Sequence, residues 1–243
     1  MTGGADAHQS GVKGMFARLA RRYDLVNTLA SLGLDRRWRR AAVDAAALDG
    51  GGDVLDVCAG TGEMTMALAG RLDRGRVVGL DISPEMLAVA VHKAAALQAR
   101  RGEGASSGPD FLAGDALDLP FAAASFDVVT VAFGVRNVPD RAGVFREAWR
   151  VLRPKGRLVV LEFTRPPGLS LRALHRVYLR TVVSLVGGLL TGDVASYRYL
   201  GRTIAGFPEP AVLAGEMAAA GFASVRWRYL SGGIVALHVG IRD

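Results

Sequence analysis

The run Asp53-Val54-Leu55-Asp56-Val57-Cys58-Ala59-Gly60-Thr61-Gly62 decides the fold. It is a short apolar segment with β-branched residues, flanked by glycines, which reads as a buried strand running into a tight Gly-x-Gly turn and a helix to about Leu72. A second strand follows at Val77 to Leu80. Then Ser83-Pro84-Glu85 supplies an N-cap and a proline at the first helical position, opening a helix to about Arg100. Further strands are predicted at Asp110 to Ala113, Phe126 to Ala132 and Arg157 to Phe163, with a helix from Ala142 to Leu152 between the last two. Strands alternating with helices predict an α/β fold with a parallel, doubly wound sheet. Upstream, a helix is expected from Arg37 to Ala47. Downstream, a helix from Pro210 to Ala220 stops at Gly221 and two strands, Val225 to Leu230 and Ile234 to Ile241, close as a hairpin through Ser231-Gly232-Gly233. A polar loop is expected at Arg101 to Pro109. Residues 165–207 break the rhythm and read as an inserted helical cap, and residues 1–41 as an N-terminal helical lid, all within one domain.

The 243 residues suit one domain, and half are apolar against 22% charged, the balance of a folded chain. The single cysteine, Cys58, excludes an internal disulfide and a multi-cysteine metal site. No apolar run reaches the ~18 to 20 residues of a membrane-spanning helix, and the first thirteen residues lack the apolar stretch of a signal peptide. The expected location is cytoplasmic. Net charge is +7, divided as +5 over residues 1–41, −7 over 42–140 and +9 over 141–243. Such basic flanks fit either nucleic acid or an anionic membrane surface.

Ligands of doubly wound sheets bind beyond the carboxyl ends of the strands, where the winding reverses. Gly60 and Gly62 let backbone approach a ligand there, with Thr61 between them. A dinucleotide fingerprint needs a third glycine three positions on, but that position is Thr65. Asp81 ends the second strand, nineteen residues past Gly62, where a carboxylate can accept both ribose hydroxyls. Asp115-Ala116 follows the third strand, placed to receive an adenine amine. Acidic groups at three successive strand ends (Asp56, Asp81, Asp115), with no lysine in the glycine turn, point to a nucleoside without phosphates, S-adenosylmethionine.

Val54 to Gly62 and Gly79-Leu80-Asp81-Ile82-Ser83-Pro84-Glu85-Met86-Leu87 resemble the first two motifs of class I methyltransferases. Arg22-Tyr23-Asp24-Leu25-Val26-Asn27, Ala132-Phe133-Gly134-Val135-Arg136-Asn137-Val138, Val160-Leu161-Glu162-Phe163, Ser196-Tyr197-Arg198-Tyr199-Leu200 and Gly232 to His238 are similar to the ubiquinone/menaquinone biosynthesis C-methyltransferase family. The resemblance runs from about residue 14 to the C-terminus. It implies a seven-stranded sheet with an antiparallel last strand, S-adenosylmethionine contacts at Asp56, Gly60, Thr61, Gly62, Asp81, Asp115 and Ala116, and methylation of a ring carbon on a polyprenylated quinol. Many members carry Ser where this chain has Ala132, which removes a hydroxyl contact, and Asp is usual where it has Glu63.

A ring carbon becomes nucleophilic when a neighbouring phenol, with a pKa of ~10 as in tyrosine, loses its proton. Arg136, after the fourth strand, is the candidate to stabilise the phenolate, with Asn137 fixing the oxygen. Tyr23 and Asp24 would lie on the lid, with Asp24 or a water it holds taking the proton. His238 and Cys58 read as structural residues. In the cap, Arg172, Arg176 and Arg180 form one helical stripe beside apolar Leu171, Leu174, Val177, Leu179 and Val182. That stripe suits a solvated cap helix, a channel for the polyprenyl tail, or peripheral contact with the inner face of the cell membrane. Two other classes stay open on the residues alone: a nicotinamide-dependent oxidoreductase on the same kind of sheet, and a basic nucleic-acid-binding module, which 7% aromatic residues serve poorly.

Overall fold

A computed structural model describes residues 23–101, 108–179, 181 and 201–243. Two helices, α1 (Tyr23–Ala30) and α2 (Leu34–Ala46), precede β1 (Asp53–Val57), α3 (Glu63–Ala69), β2 (Arg76–Asp81), α4 (Pro84–Arg101), β3 (Asp110–Ala113) and β4 (Phe126–Ala132). A 3-10 turn (Val135–Asn137), α5 (Arg141–Val151), β5 (Leu152–Phe163), α6 (Leu169–Tyr178) and α7 (Pro210–Ala219) follow, and β6 (Ser224–Leu230) and β7 (Val235–Ile241) finish the chain. Helical backbone also covers 201–206. The strands form one seven-stranded sheet in the order β3-β2-β1-β4-β5-β7-β6. Pairs among β1 to β5 are parallel, and β7 is antiparallel to both β5 and β6. The α/β sheet and its closing hairpin are therefore as the sequence pattern predicts.

Alternation along the strands divides the core into two layers. Val129, Val131, Leu158 and Val160 face α5 and α7, against Phe145, Ala148, Leu213 and Met217. Val54, Val128, Val159 and Leu161 face the opposite side, against Trp38, Ala42 and Val43 of α2 and Met64 and Leu68 of α3. Each such fully buried side chain contributes roughly 1.5–3 kcal/mol. Two boundaries differ from the sequence reading. The helix α2 begins at Leu34, one turn before Arg37, because Leu34 and Trp38 join the same apolar layer on the sheet. The strand β5 begins at Leu152, ahead of Arg157, since Leu152 pairs with Phe126 before a register shift; the intervening Pro154 and Gly156 read as turn residues. Of the expected cap, 169–179 and 201–206 are helical; Arg180, 182–200, the motif at Ser196 to Leu200, most of the 101–109 loop and residues 1–22 lie outside the described residues.

The winding reverses between β1 and β4, and a buried carboxylate fixes that junction. Asp56 accepts from the Thr130 hydroxyl of β4 at 2.7 Å and from the Thr65 hydroxyl of α3 at 2.6 Å. Just beyond, Cys58 turns with φ +59°, and a Cβ on Gly134 would lie 2.3 Å from the Cys58 Cβ, so the two strand ends meet where only glycine fits. Gly134→Ala is expected to destabilise the fold by about 1–3 kcal/mol, and less in a Cys58→Gly background; equal costs in both backgrounds, measured by denaturant unfolding, would contradict the contact.

Burial pushes the Asp56 carboxyl up to about 6, against the hydroxyls of Thr65 and Thr130. The folded chain then holds this proton more tightly than the unfolded chain, whose carboxyl titrates near ~4. Its stabilising contribution is full below that pH, is lost as pH rises to about 6, and is constant above, a span of about 3 kcal/mol. Asp56→Asn should therefore gain stability relative to wild type between those pH values in urea titrations. A constant difference across the range would show that the buried acid does not titrate so.

Candidate functional site

The carboxyl ends of β1, β2, β3 and β4 open into a cavity of about 450 Å³, within the range of small-molecule sites. One end is built on the glycine turn. Gly60, Thr61, Asp81, Asp115 and Ala116 line it, with Met86 and Gly114. Asp81 is oriented by two backbone donors, Gly60 N at 2.8 Å and Ser83 N at 2.9 Å, and burial raises its pKa above the usual carboxylate value. Asp115 accepts from Leu117 N at 2.9 Å. The cavity wall holds five acids, Asp35, Asp56, Glu63, Asp81 and Asp115, against two arginines, Arg39 and Arg136. Each arginine is paired with an acid, Arg39 with Asp35 and Arg136 with Glu162. An acidic wall whose two arginines are each paired disfavours phosphates and suits an adenosyl sulfonium, whose ribose hydroxyls would meet Asp81 and whose adenine would meet Asp115 and Ala116.

Three of the expected cofactor residues stand differently. Asp56 gives both oxygens to threonine hydroxyls and is almost fully buried, so it supports the turn from behind. Gly62, at φ +78°, is the N-cap of α3; a Cβ there would crowd Ala90 and Phe111 at 3.0 Å, and it does not line the cavity. Thr61 lines the wall but donates its hydroxyl to Asp24 at 2.5 Å.

Asp24 in turn is not a cavity residue. Its second oxygen accepts from Lys93 Nζ at 2.7 Å, and the same ammonium binds Glu63 and, at 3.1 Å, the Thr61 carbonyl. With both oxygens engaged, Asp24 ties α1 to the glycine turn, which corrects the expectation that it faces the substrate as a base. Tyr23 begins α1, and its side chain lies outside the described residues. Sequence reading missed Lys93, although it is one of only three lysines in the chain. On the amphipathic helix α4 it reads as an ordinary solvated residue.

The other end of the cavity is apolar and aromatic. Trp38, Phe133 and Phe163 line it, with ring centroids 6.2, 5.9 and 4.7 Å apart, and Trp38 Nε1 donates to the Ser231 hydroxyl at 2.8 Å, fixing α2 to the β6–β7 turn. Arg136 lies beside this cluster, its guanidinium 5.4 Å from the Phe163 ring centre. Its Nη1 donates to Glu162 at 2.7 Å and to the Phe133 carbonyl, and the pair is 5% and 1% exposed. Its Nε is buried without a hydrogen-bond partner, and its Nη2 makes no hydrogen bond to a described residue. Asn137 lines the same wall. The structure thus places Arg136 and Asn137 on the wall of the same cavity as the glycine turn, with Arg136 as one half of a sealed ion pair in which Nε and Nη2 stay unpaired among the described residues. Cys58 also lines the cavity, and burial pushes its thiol well up, with Asp81 and Asp56 adding to the effect. His238 is remote, its Nε2 2.9 Å from the Pro210 carbonyl. No cluster of metal-ligating side chains occurs among the described residues.

Beside the cavity α1 and α6 pack through Val26, Ala30, Tyr178 and Leu179, and the Tyr178 hydroxyl donates to the Ala30 carbonyl at 3.1 Å. Leu32 and Leu174 reach the cavity and are 77% and 66% exposed. Leu25 and Leu29 on α1 and Leu169 and Val177 on α6 are exposed as well. No described helix is long and apolar enough to cross a membrane.

Comparison with known proteins agrees with this geometry. The solved structure of an S-adenosylmethionine-dependent methyltransferase from Thermotoga maritima is similar in fold, with a TM-score of 0.66 and 19% identity over 95% of this chain and 99% of that one. Demethylmenaquinone methyltransferase of Thermus thermophilus is 46% identical over 94% of this chain and all of the relative. The UbiE C-methyltransferase of ubiquinone and menaquinone biosynthesis from Syntrophotalea carbinolica is 43% identical over 94% and 93%. The profile of the ubiE/COQ5 methyltransferase family matches residues 4–242, and the chain belongs to that family of S-adenosylmethionine-dependent methyltransferases.

Proposed function

We propose that this enzyme methylates a ring carbon of a polyprenylated quinol, taking a demethylmenaquinol to a menaquinol or acting on the 2-polyprenyl-6-methoxy-benzoquinol of ubiquinone synthesis. The observation that carries the reading is a single cavity with an acidic, glycine-lined end and an aromatic end, joined at Arg136. The names of the relatives from Thermus thermophilus and Syntrophotalea carbinolica support the substrate class. When bound, S-adenosylmethionine supplies a methyl group already activated by the sulfonium. The protein's share is to hold that methyl in line with an electron-rich carbon and to exclude water. Gly60, Asp81, Asp115 and Ala116 would hold the nucleoside. Trp38, Phe133 and Phe163 would stack on the quinol ring, and Arg136 Nη2 with Asn137 would hold the phenolic oxygen. One pKa unit corresponds to ~1.4 kcal/mol, so a desolvated guanidinium beside the oxygen can shift a phenol of pKa ~10 by several units. Of residues 1–41, the part ahead of α2 would serve as the lid, held through Asp24 and Lys93, since α2 packs into the core from Leu34 on, and 165–207 would serve as the cap through which the tail leaves.

The test is methyl transfer from labelled S-adenosylmethionine to reduced demethylmenaquinone and, separately, to the reduced benzoquinone. Label in one or both products is expected; folded enzyme that labels neither contradicts the reading. Asp81→Ala should raise the S-adenosylmethionine Kd at least tenfold with a smaller effect on kcat. Arg136→Lys, which keeps a cation beside Glu162, should lower kcat by about 10²–10³ with little change in that Kd. Unchanged turnover would remove Arg136 from the mechanism.

The exposed leucines of α1, α6 and the turn after α1 support peripheral contact with a membrane, the source of a tailed quinol. Leu32→Glu with Leu174→Glu should weaken co-sedimentation with anionic lipid vesicles while sparing turnover on a short-tailed quinol. Equal sedimentation would place the membrane contact elsewhere.

A further inference from the structure

If the substrate is a quinol, as proposed above, something must take its phenolic proton, and the residues already assigned do not. The five carboxylates of the cavity wall have partners: hydroxyls for Asp56, backbone amides for Asp81 and Asp115, Arg39 for Asp35 and Lys93 for Glu63. The Tyr178 hydroxyl is spent on Ala30, and the Cys58 thiol is held protonated by its burial. Arg39 and Arg136 are cations. One titratable side chain of the wall remains, His175 on α6. It is 8% exposed and lines the cavity beside Leu171, Leu174 and Leu179, and its ring makes no hydrogen bond to any described residue. Neither ring nitrogen is among the fully enclosed polar atoms left without a partner, so the imidazole lines the cavity with its nitrogens accessible rather than sealed in the core. Burial also lowers its pKa below the usual histidine value, so it faces the cavity as a neutral base. The charged groups on the elements that line the cavity around it are Arg172 and Arg176 of its own helix, Glu209, which pairs with Arg172, Arg202 on the helical segment 201–206, Asp24 on α1, Asp35 and Arg39 on α2, and Arg136.

From this geometry we infer that His175 is a catalytic residue, the proton acceptor for the quinol hydroxyl. The O–H bond breaks, the proton goes to a ring nitrogen of His175, and the electron pair remains on the oxygen, where Arg136 holds it and resonance shares it with the neighbouring ring carbon. That carbon bonds to the methyl group as the bond from methyl to sulfur breaks, the pair staying on sulfur. The ring C–H proton then leaves to water while the imidazolium returns its proton to the oxygen, so one proton is released per methyl transferred. The apolar surroundings keep competing water from the base.

His175→Gln, an amide of similar size that does not accept a proton near neutral pH, tests this directly. Expected are a fall in kcat of about 10²–10⁴, an unchanged S-adenosylmethionine Kd and Tm, and loss of the acid limb of the wild-type kcat–pH profile. Imidazole added to His175→Ala should restore part of the lost turnover. A second readout is independent of turnover: ring-nitrogen resonances of ¹⁵N-histidine wild-type protein should show His175 neutral at pH 7 and displaced when an oxidised quinone analogue binds. The proposal is overturned if His175→Gln keeps more than a third of the wild-type kcat with the same pH profile, if only the quinol KM changes, or if the imidazole does not respond to the analogue. Wild-type enzyme inactive on every reduced quinol would instead overturn the functional reading on which the proposal rests.

Discussion

The carboxylate of Asp56, sealed between the hydroxyls of Thr65 and Thr130, is the contact on which the site depends. It fastens β1 to β4 at the place where the winding of the sheet reverses, and to the helix that leaves the glycine turn. A buried acid is costly unless its lone pairs are satisfied, and here two hydroxyls satisfy it across three elements. Gly60 and Asp81 take their positions from that junction. The Asp81 carboxylate is held by the Gly60 amide, whose own place follows from the end of β1. The Gly134 turn closes against Cys58 on the other side, which sets Arg136 and Asn137 at the far wall of the same cavity. Both ends of the cavity are thus positioned by one strand end.

The charge distribution of the cavity divides its labour. At the nucleoside end acids outnumber cations, and the cation nearest the glycine turn, Lys93, lies behind the wall, joining Asp24 and Glu63. That arrangement favours a positively charged ligand and gives no purchase to a pyrophosphate. At the aromatic end Arg136 is neutralised by Glu162 yet keeps a donor free. A buried pair of this kind is weak evidence for stability, because desolvation offsets most of the attraction. Holding a fixed donor beside aromatic rings is a better account of why a charged pair lies there.

Much of the fold was legible because the pattern is local. The Asp53-to-Gly62 run, the Ser83-Pro84-Glu85 cap and the Ser231-Gly232-Gly233 turn each state their own geometry. The boundaries that shifted did so for tertiary reasons: Leu34 extends α2 because it packs with Trp38, and Leu152 extends β5 because Phe126 is its partner. Asp81, Asp115 and Arg136 share the cavity wall because the sheet aligns strand ends, a placement that their spacing already signals. The Lys93 bridge, the tilted and edge-on contacts of Trp38 with Phe133 and Phe163, and His175 on the cavity wall join segments far apart in sequence, and no spacing rule signals them. Asp24 was misread for the same reason, since only the fold reveals that Thr61 and Lys93 occupy its oxygens.

The central claim is that an acidic, phosphate-free pocket at the winding reversal holds a sulfonium nucleoside. Titration calorimetry of the purified protein with S-adenosylmethionine and, in parallel, with a nicotinamide dinucleotide measures it directly. Saturable binding of one S-adenosylmethionine per chain, and no heat from the dinucleotide, is the result this structure requires. Folded protein that takes up the dinucleotide and ignores S-adenosylmethionine would contradict it.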